Sequence, residues 1–335
     1  VFGPAVRMID FYPLPEEGAE DSISLLAERV KKGYSIVIFP EGTRTSDGPV
    51  KRFHKGAFYI AEKLNLDILP IVLHGTGYTK SKGDLLLKDG TTTVQFLPRI
   101  SPDDKSFGNN YSERTKGIVR YFRQQYEKIR SEQETPVYFK EQLIRNYLYK
   151  GPVLEWYMRV KIRLEDYYKK FDELLPKEGK LLDIGCGYGF MSYMMNFTGP
   201  QRQITALDYD EEKVQTAQHC FSKNDRINFL HADVLGFQFE KYDGIVISDV
   251  LHYLQPDDQR TVINRCIESL QPNGILIIRD GDADLAERHK GTKLTEYFST
   301  RFFGFNKTNE KGLSFLSGTF IKDIAIENGL AFYTI

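Results

Sequence analysis

The sequence of 335 residues holds only three cysteines, Cys186, Cys220 and Cys266, and a single tryptophan. Three dispersed thiols build neither a disulfide framework nor a structural zinc site, and they suit a reducing, cytoplasmic setting. Long apolar runs are lacking too: YSIVIF and GILII are strand-length, far short of the roughly 20 apolar residues that a membrane span needs. Charge of one sign is not in excess, since 45 Lys and Arg stand against 46 Asp and Glu, a net of -1. Without a global basic field nucleic acid is not an expected partner, and any anion must be recognised locally. The opening residues do not read as a secretory leader, and a first residue of Val rather than Met suggests an excerpt or a processed product.

What is present alternates. DSISLLAERVKK, residues 21 to 32, has helical spacing of apolar residues behind an Asp/Ser start, and Gly33 ends it. YSIVIFP reads as a buried strand, FHKGAFYIAEKLN as a helix, and DILPIVLHG and TTTVQFLPRI as two further strands. A charged helical pattern runs from Tyr111 to Glu134 and breaks at a proline, which places a boundary there. Residues 134–178 read as a leading segment of two helices around Gly151 and Pro152, rich in Tyr and basic residues. They either pack on the next domain or cover a substrate at a lipid or aromatic interface. From Lys180, KLLDIG, QITALD, INFLHAD, YDGIVIS and GILIIRD are five apolar runs separated by helical segments, the rhythm of a doubly wound sheet. The expected fold class is α/β: a partial α/β domain over 1–133, leading helices over 134–178, and a Rossmann-like doubly wound domain over 179–335.

The strongest chemical signal is LLDIGCGYGF. A strand ends at Asp183, and Gly185, Gly187 and Gly189 follow before a helix. Glycines permit a tight turn and close approach of a ligand, and the helix start offers unpaired N–H groups. Nicotinamide-cofactor folds use GxGxxG at this place, but Phe190 stands where their third glycine would be, and an acid precedes the loop. Asp208 ends the next strand, where it can accept from both ribose hydroxyls, and Asp233 closes INFLHAD, where it can accept from an adenine amino group.

These residues resemble the class I S-adenosylmethionine-dependent methyltransferase family, from about Lys180 to the end of the chain. The resemblance implies S-adenosyl-L-methionine as cofactor. Gly185, Gly187 and Gly189 would contact its methionine part, Asp183 its amino group, Asp208 the ribose, and Ala232, Asp233 and Val234 the adenine. Methyl transfer then needs an acceptor held in line and, if that acceptor carries a proton, a base. Asp249, His252, Asp280, Asp282 and His289 are candidates, each of which can also be structural, and His252 is preferred because an unperturbed imidazole titrates near neutrality. Tyr297, Phe298, Phe302, Phe303 and Phe305 lie in a segment suited to recognising an aromatic or acyl acceptor. The last residues, AFYTI, supply at most one further strand. No metal is expected, because the acids lie at cofactor positions rather than in a ligand cluster.

FPEGTRT, followed by FHKGAF and LPIVLHG, resembles the bacterial glycerolipid acyltransferases related to lysophosphatidic acid acyltransferases, over roughly residues 1 to 130. The resemblance gives Glu41, Gly42, Thr43 and Arg44 the acceptor's phosphate, for which a guanidinium fork and exposed backbone N–H groups are apt. RMIDFYPL and Pro70 match neighbouring family segments. The family's general base is the His of an HxxxxD pair upstream of RMIDFYPL, and no His precedes His54 in this chain. The expectation is therefore part of a bifunctional lipid-modifying enzyme, taking a small, lipid-like or aromatic methyl acceptor. An acyl donor and lysolipid-type acceptor join only where the HxxxxD pair is supplied. Cytoplasmic location, with peripheral contact at the inner face of the membrane, would suit it. A catalytically dead lipid-docking module beside the methyltransferase, and an NAD-dependent oxidoreductase, are the alternatives.

Overall fold

A computed structural model describes residues 19–43, 50–80, 85–164, 167–281 and 314–334. The chain divides into two compact units, residues 1–133 and 134–335. RMIDFYPL, Arg44, Asp282, His289 and the five aromatics between 297 and 305 lie outside the described residues.

In the first unit, helix α1 (Ala19–Lys31) precedes α2 (Gly56–Lys63), strand β1 (Ile71–His74), the single-turn α3 (Thr76–Thr79), β2 (Thr93–Phe96) and the long α4 (Tyr111–Gln133). The strands pair antiparallel, with Ile71 opposite Phe96 and Leu73 opposite Val94. Val72 and Leu97 pack with Tyr126 and Ile129 of α4. The other side of the ribbon is bare: Ile71 and Leu73 are 38% exposed, Val94 52% and Phe96 64%.

YSIVIFP is not a strand. Residues 34–39 carry no ladder, and Val37 and Phe39 are largely exposed. The apolar content marks a stretch that prefers burial, but a strand exists only by pairing. Among the described residues, β1 and β2 pair only with each other.

The second unit opens with α5 (Lys140–Arg145), a 3₁₀ turn (Leu148–Lys150), α6 (Pro152–Leu164) and α7 (Tyr167–Leu174). Gly151, at φ 90°, separates the turn from α6, and Pro152 follows where a missing N–H costs nothing. The leading segment is thus in three helices rather than two. Strands β3 (Glu178–Ile184), β4 (Gln201–Asp208), β5 (Ile227–His231), β6 (Tyr242–Ser248) and β7 (Leu270–Arg279) alternate with α8 (Phe190–Thr198), α9 (Glu211–Gln218) and α10 (Pro256–Glu268). Helix α11 (Gly318–Glu327) follows, and residues 331–334 form no strand.

All strand pairs in this sheet are parallel, in the order β5-β4-β3-β6-β7. This is a Rossmann-like doubly wound sheet. The leading helices, α8 and α9 cover one face with Tyr147, Met158, Phe171 and Tyr193. On the other, α10 and α11 bring Val262, Ile263 and Ile324 against Ile184, Ile245 and Ile247. Strand order reverses between β3 and β6, and a ligand of such a fold sits beyond the carboxyl ends there.

Arg202, fully buried, ties the first face together. Its guanidinium pairs with Asp172 at 3.1 Å and donates to the carbonyls of Pro176, Met195 and Leu175 and to Thr198 Oγ1. Helices α7 and α8 and the start of β4 thereby meet on one cation.

Candidate functional site

The carboxyl ends of β3, β4 and β5 bring the three predicted acids to one edge of the sheet. Asp183 is buried at the end of β3 and accepts from Ser192 Oγ at 2.5 Å. Burial pushes its carboxyl up to about 6, nearby Asp208 adds to the rise, and the Ser192 hydrogen bond opposes it. Such a group gains from a cation placed against it.

Asp208 reaches into the glycine loop. Its Oδ2 accepts the Gly187 N–H at 2.7 Å, and its Oδ1 accepts the Asp210 N–H at 2.8 Å. Asp210 caps α9 through the N–H groups of Glu212 and Lys213. Asp233 is exposed and accepts the Leu235 N–H at 2.9 Å, while Val234 is buried beside it. Ala232 extends the β4 pairing by donating its N–H to the Asp208 carbonyl at 3.1 Å.

The loop itself has the form of a cradle. Gly185, Gly187 and Gly189 all have left-handed φ values, 76°, 54° and 81°. A Cβ on Gly185 would collide with Val250, whereas one on Gly187 would meet nothing within 4 Å. Space therefore opens over Gly187. Ser248 Oγ, at the end of β6, is a buried hydroxyl with no hydrogen-bond partner among the described residues. A buried carboxylate with a raised pKa, an open glycine turn and the acids of the neighbouring strand ends fit a donor that carries a cationic amino acid and a ribose.

Sequence reasoning did not find the residues around Tyr188. Its ring stacks with Phe190 at 5.9 Å, and Lys213 Nζ lies 5.8 Å from its centroid. Burial lowers the pKa of Lys213, against the pull of Asp208 and Asp210. Tyr147, from the leading helices, donates its hydroxyl to the Tyr188 carbonyl at 2.7 Å.

Beyond β6 and β7 the proposed base is buried. His252 Nδ1 lies 2.6 Å from Asp280 Oδ1, and Asp280 Oδ2 accepts the Leu251 N–H at 2.8 Å. The imidazole stacks on Phe315 at 5.6 Å. A base held by a carboxylate is an orienting arrangement, here away from solvent. Asp249, the other candidate described, has φ 57° and pairs with Arg279, whose guanidinium lies 4.1 Å from the Tyr167 ring centroid. Among the described residues no cluster of His, Cys, Asp and Glu could hold a metal ion, and no helix is long and apolar enough to cross a membrane.

In the first unit, Gly42 has φ 68°, and a Cβ there would stand 3.1 Å from His54 Nε2. Glu41 Oε2 accepts the Lys51 N–H at 3.1 Å, and the His54 N–H donates to the Pro40 carbonyl at 2.7 Å. The turn carrying Glu41, Gly42 and Thr43 is thus folded onto the basic segment that follows.

Comparison with known proteins separates the chain in the same way. Residues 181–274 match the family model described as a methyltransferase domain, and residues 1–74 match the model described as acyltransferase. A chloroplastic 1-acyl-sn-glycerol-3-phosphate acyltransferase of Brassica napus is 44% identical over 80 residues, 23% of either chain. The corresponding Arabidopsis thaliana enzyme is 40% identical over 98 residues, 28% of either chain. A carboxy-S-adenosyl-L-methionine synthase of Ruthia magnifica is 31% identical over 101 residues, 29% of this chain and 43% of the synthase. The chain thus spans about a quarter of these acyltransferases and less than half of the synthase. The acyltransferase match lies within the first unit and the methyltransferase match within the second.

Proposed function

We propose that residues 179–335 transfer a methyl group from S-adenosyl-L-methionine to a small, lipid-like or aromatic acceptor. The observation that carries this reading is the convergence of Asp183, the open turn at Gly187 and Asp208 at the switch point of the sheet. When bound, the donor supplies an activated methyl on a sulfonium. The protein's part is to bind and aim. Asp183 balances the amino group, Asp208 holds the ribose while keeping the Gly187 amide in place, and Asp233 with Ala232 and Val234 frames the adenine. His252, oriented by Asp280, takes the acceptor's proton. Calorimetric titration with S-adenosylhomocysteine and with NAD tests the reading: micromolar binding of the first alone supports it, and tight NAD binding refutes it.

For residues 1–133 we propose a site for an acceptor phosphate at Glu41, Gly42, Thr43 and Arg44. Acyl transfer there requires an HxxxxD pair ahead of RMIDFYPL, and this sequence has no His before His54. Acyl turnover of a lysophosphatidic acid by the 335-residue chain would refute that requirement.

A further inference from the structure

The leading helices reach the glycine loop through the Tyr147 hydroxyl. We propose that Tyr147 is a positioning residue that sets the glycine loop for the donor by fixing the peptide between Tyr188 and Gly189. This rests on the methyltransferase reading above.

That peptide is held at both ends. Its carbonyl accepts the Tyr147 hydroxyl at 2.7 Å, and its N–H, on Gly189, donates to the Cys186 carbonyl at 2.8 Å. Left-handed glycines flank Tyr188 on both sides, Gly187 at 54° and Gly189 at 81°. Glycine backbones cross between conformations readily, so a peptide next to them keeps its orientation only if something outside the loop holds it. Tyr147 is 41 residues away and fully buried, and its ring meets Phe190 edge-on at 4.8 Å. The ring anchors the hydroxyl, and the hydroxyl anchors the loop.

The consequence reaches the ligand. Gly187 is bonded to Asp208, and Gly189 is the N-cap of α8. A rotation of the intervening peptide would move the Gly187 amide away from the carboxylate assigned to the ribose, and would turn the first N–H groups of α8 away from the methionine part. The Tyr188 ring, with Tyr157 of α6 at 6.4 Å, would shift with it. Tyr149 supplies the control. It leaves the same segment and donates its hydroxyl at 2.7 Å to the Thr216 carbonyl in α9, outside the loop.

The test is titration of the full chain with S-adenosylhomocysteine for wild type, Tyr147→Phe and Tyr149→Phe, with the melting temperature of each recorded. Loss of one buried hydrogen bond that aligns the site should weaken Tyr147→Phe on the order of tenfold, with Tyr149→Phe within twofold of wild type. A lower melting temperature with unchanged affinity for Tyr147→Phe would make the hydroxyl merely structural and overturn the proposal, as would equal weakening by Tyr149→Phe. Hydrogen exchange on wild type gives an answer independent of any variant's folding. S-adenosylhomocysteine should slow exchange in residues 140–150 as well as in the loop, and protection of the loop alone overturns the proposal. If wild type binds no S-adenosylhomocysteine, the methyltransferase reading fails first and this inference falls with it.

Discussion

The carboxylate of Asp208 and the amide of Gly187 meet at 2.7 Å, joining the end of β4 to the turn that follows β3. One side chain therefore shapes the loop and, in the function proposed above, also holds the ribose. Asp208→Ala should remove both functions and weaken S-adenosylhomocysteine by on the order of 100-fold, two charge-assisted hydrogen bonds' worth. Asp208→Asn should fall between. Calorimetry reads the difference, and equal affinity for all three proteins would dismiss Asp208 as a donor ligand.

Asp183 carries a pH signature. Its folded pKa, about 6, lies above the ordinary 3.8, so the folded state holds the proton more tightly than the unfolded chain. Stability is then greatest below the unfolded pKa and declines as pH rises between about 4 and 6, by about 3 kcal/mol. Donor binding should run the opposite way, because the amino group favours the ionised carboxylate. Urea melts of wild type and Asp183→Asn at pH 5 and pH 7 should show a more stable variant at pH 7 that binds S-adenosylhomocysteine poorly. A variant that binds as well as wild type at pH 7 would contradict the assignment.

Gly187 separates fold from ligand. Since a Cβ there meets no protein atom within 4 Å, Gly187→Ala should lose only about 1 kcal/mol for its left-handed backbone. The methyl group would still fill the space assigned to the donor. Affinity should drop at least about tenfold, far more than that loss of stability implies; retained affinity would place the donor elsewhere.

His252 and Asp280 form a buried pair at 2.6 Å. His252→Asn should reduce methyl turnover by on the order of 100-fold or more while leaving donor affinity within about twofold. Asp280→Asn should reduce it less. The readout is S-adenosylhomocysteine release with an acceptor drawn from a panel of phenols and fatty acids. Turnover equal to wild type would leave the pair a purely structural one.

Arg202 should matter only to stability. Arg202→Met removes one of two cations on Asp172, which keeps Lys177, and strips the guanidinium from the carbonyls of Pro176 and Leu175, while the Met195 carbonyl keeps the Gly199 N–H. A loss of on the order of 3 to 5 kcal/mol is expected in denaturant melts. Donor affinity of the folded fraction should not change.

The five strands of the second unit were legible because each is a short apolar run, with an acid at or just past the carboxyl end of β3, β4 and β5. Distance in sequence hid the rest. Tyr147 carries no local mark, since its partner is 41 residues on, and Asp280 is 28 residues from the imidazole it orients. YSIVIFP was misleading for the same reason: composition reports a tendency to be buried, whereas a strand requires a neighbour that no local window contains.

The bare side of the β1–β2 ribbon has a practical bearing on handling the protein. Ile71, Leu73, Val94 and Phe96 offer water a continuous apolar strip, and attraction between such strips strengthens on warming and in sulfate. Light scattering of concentrated protein should thus rise from 4 to 25 °C and with ammonium sulfate. Val94→Lys together with Phe96→Lys should suppress it, and cold, low-sulfate buffers are the natural choice for purification.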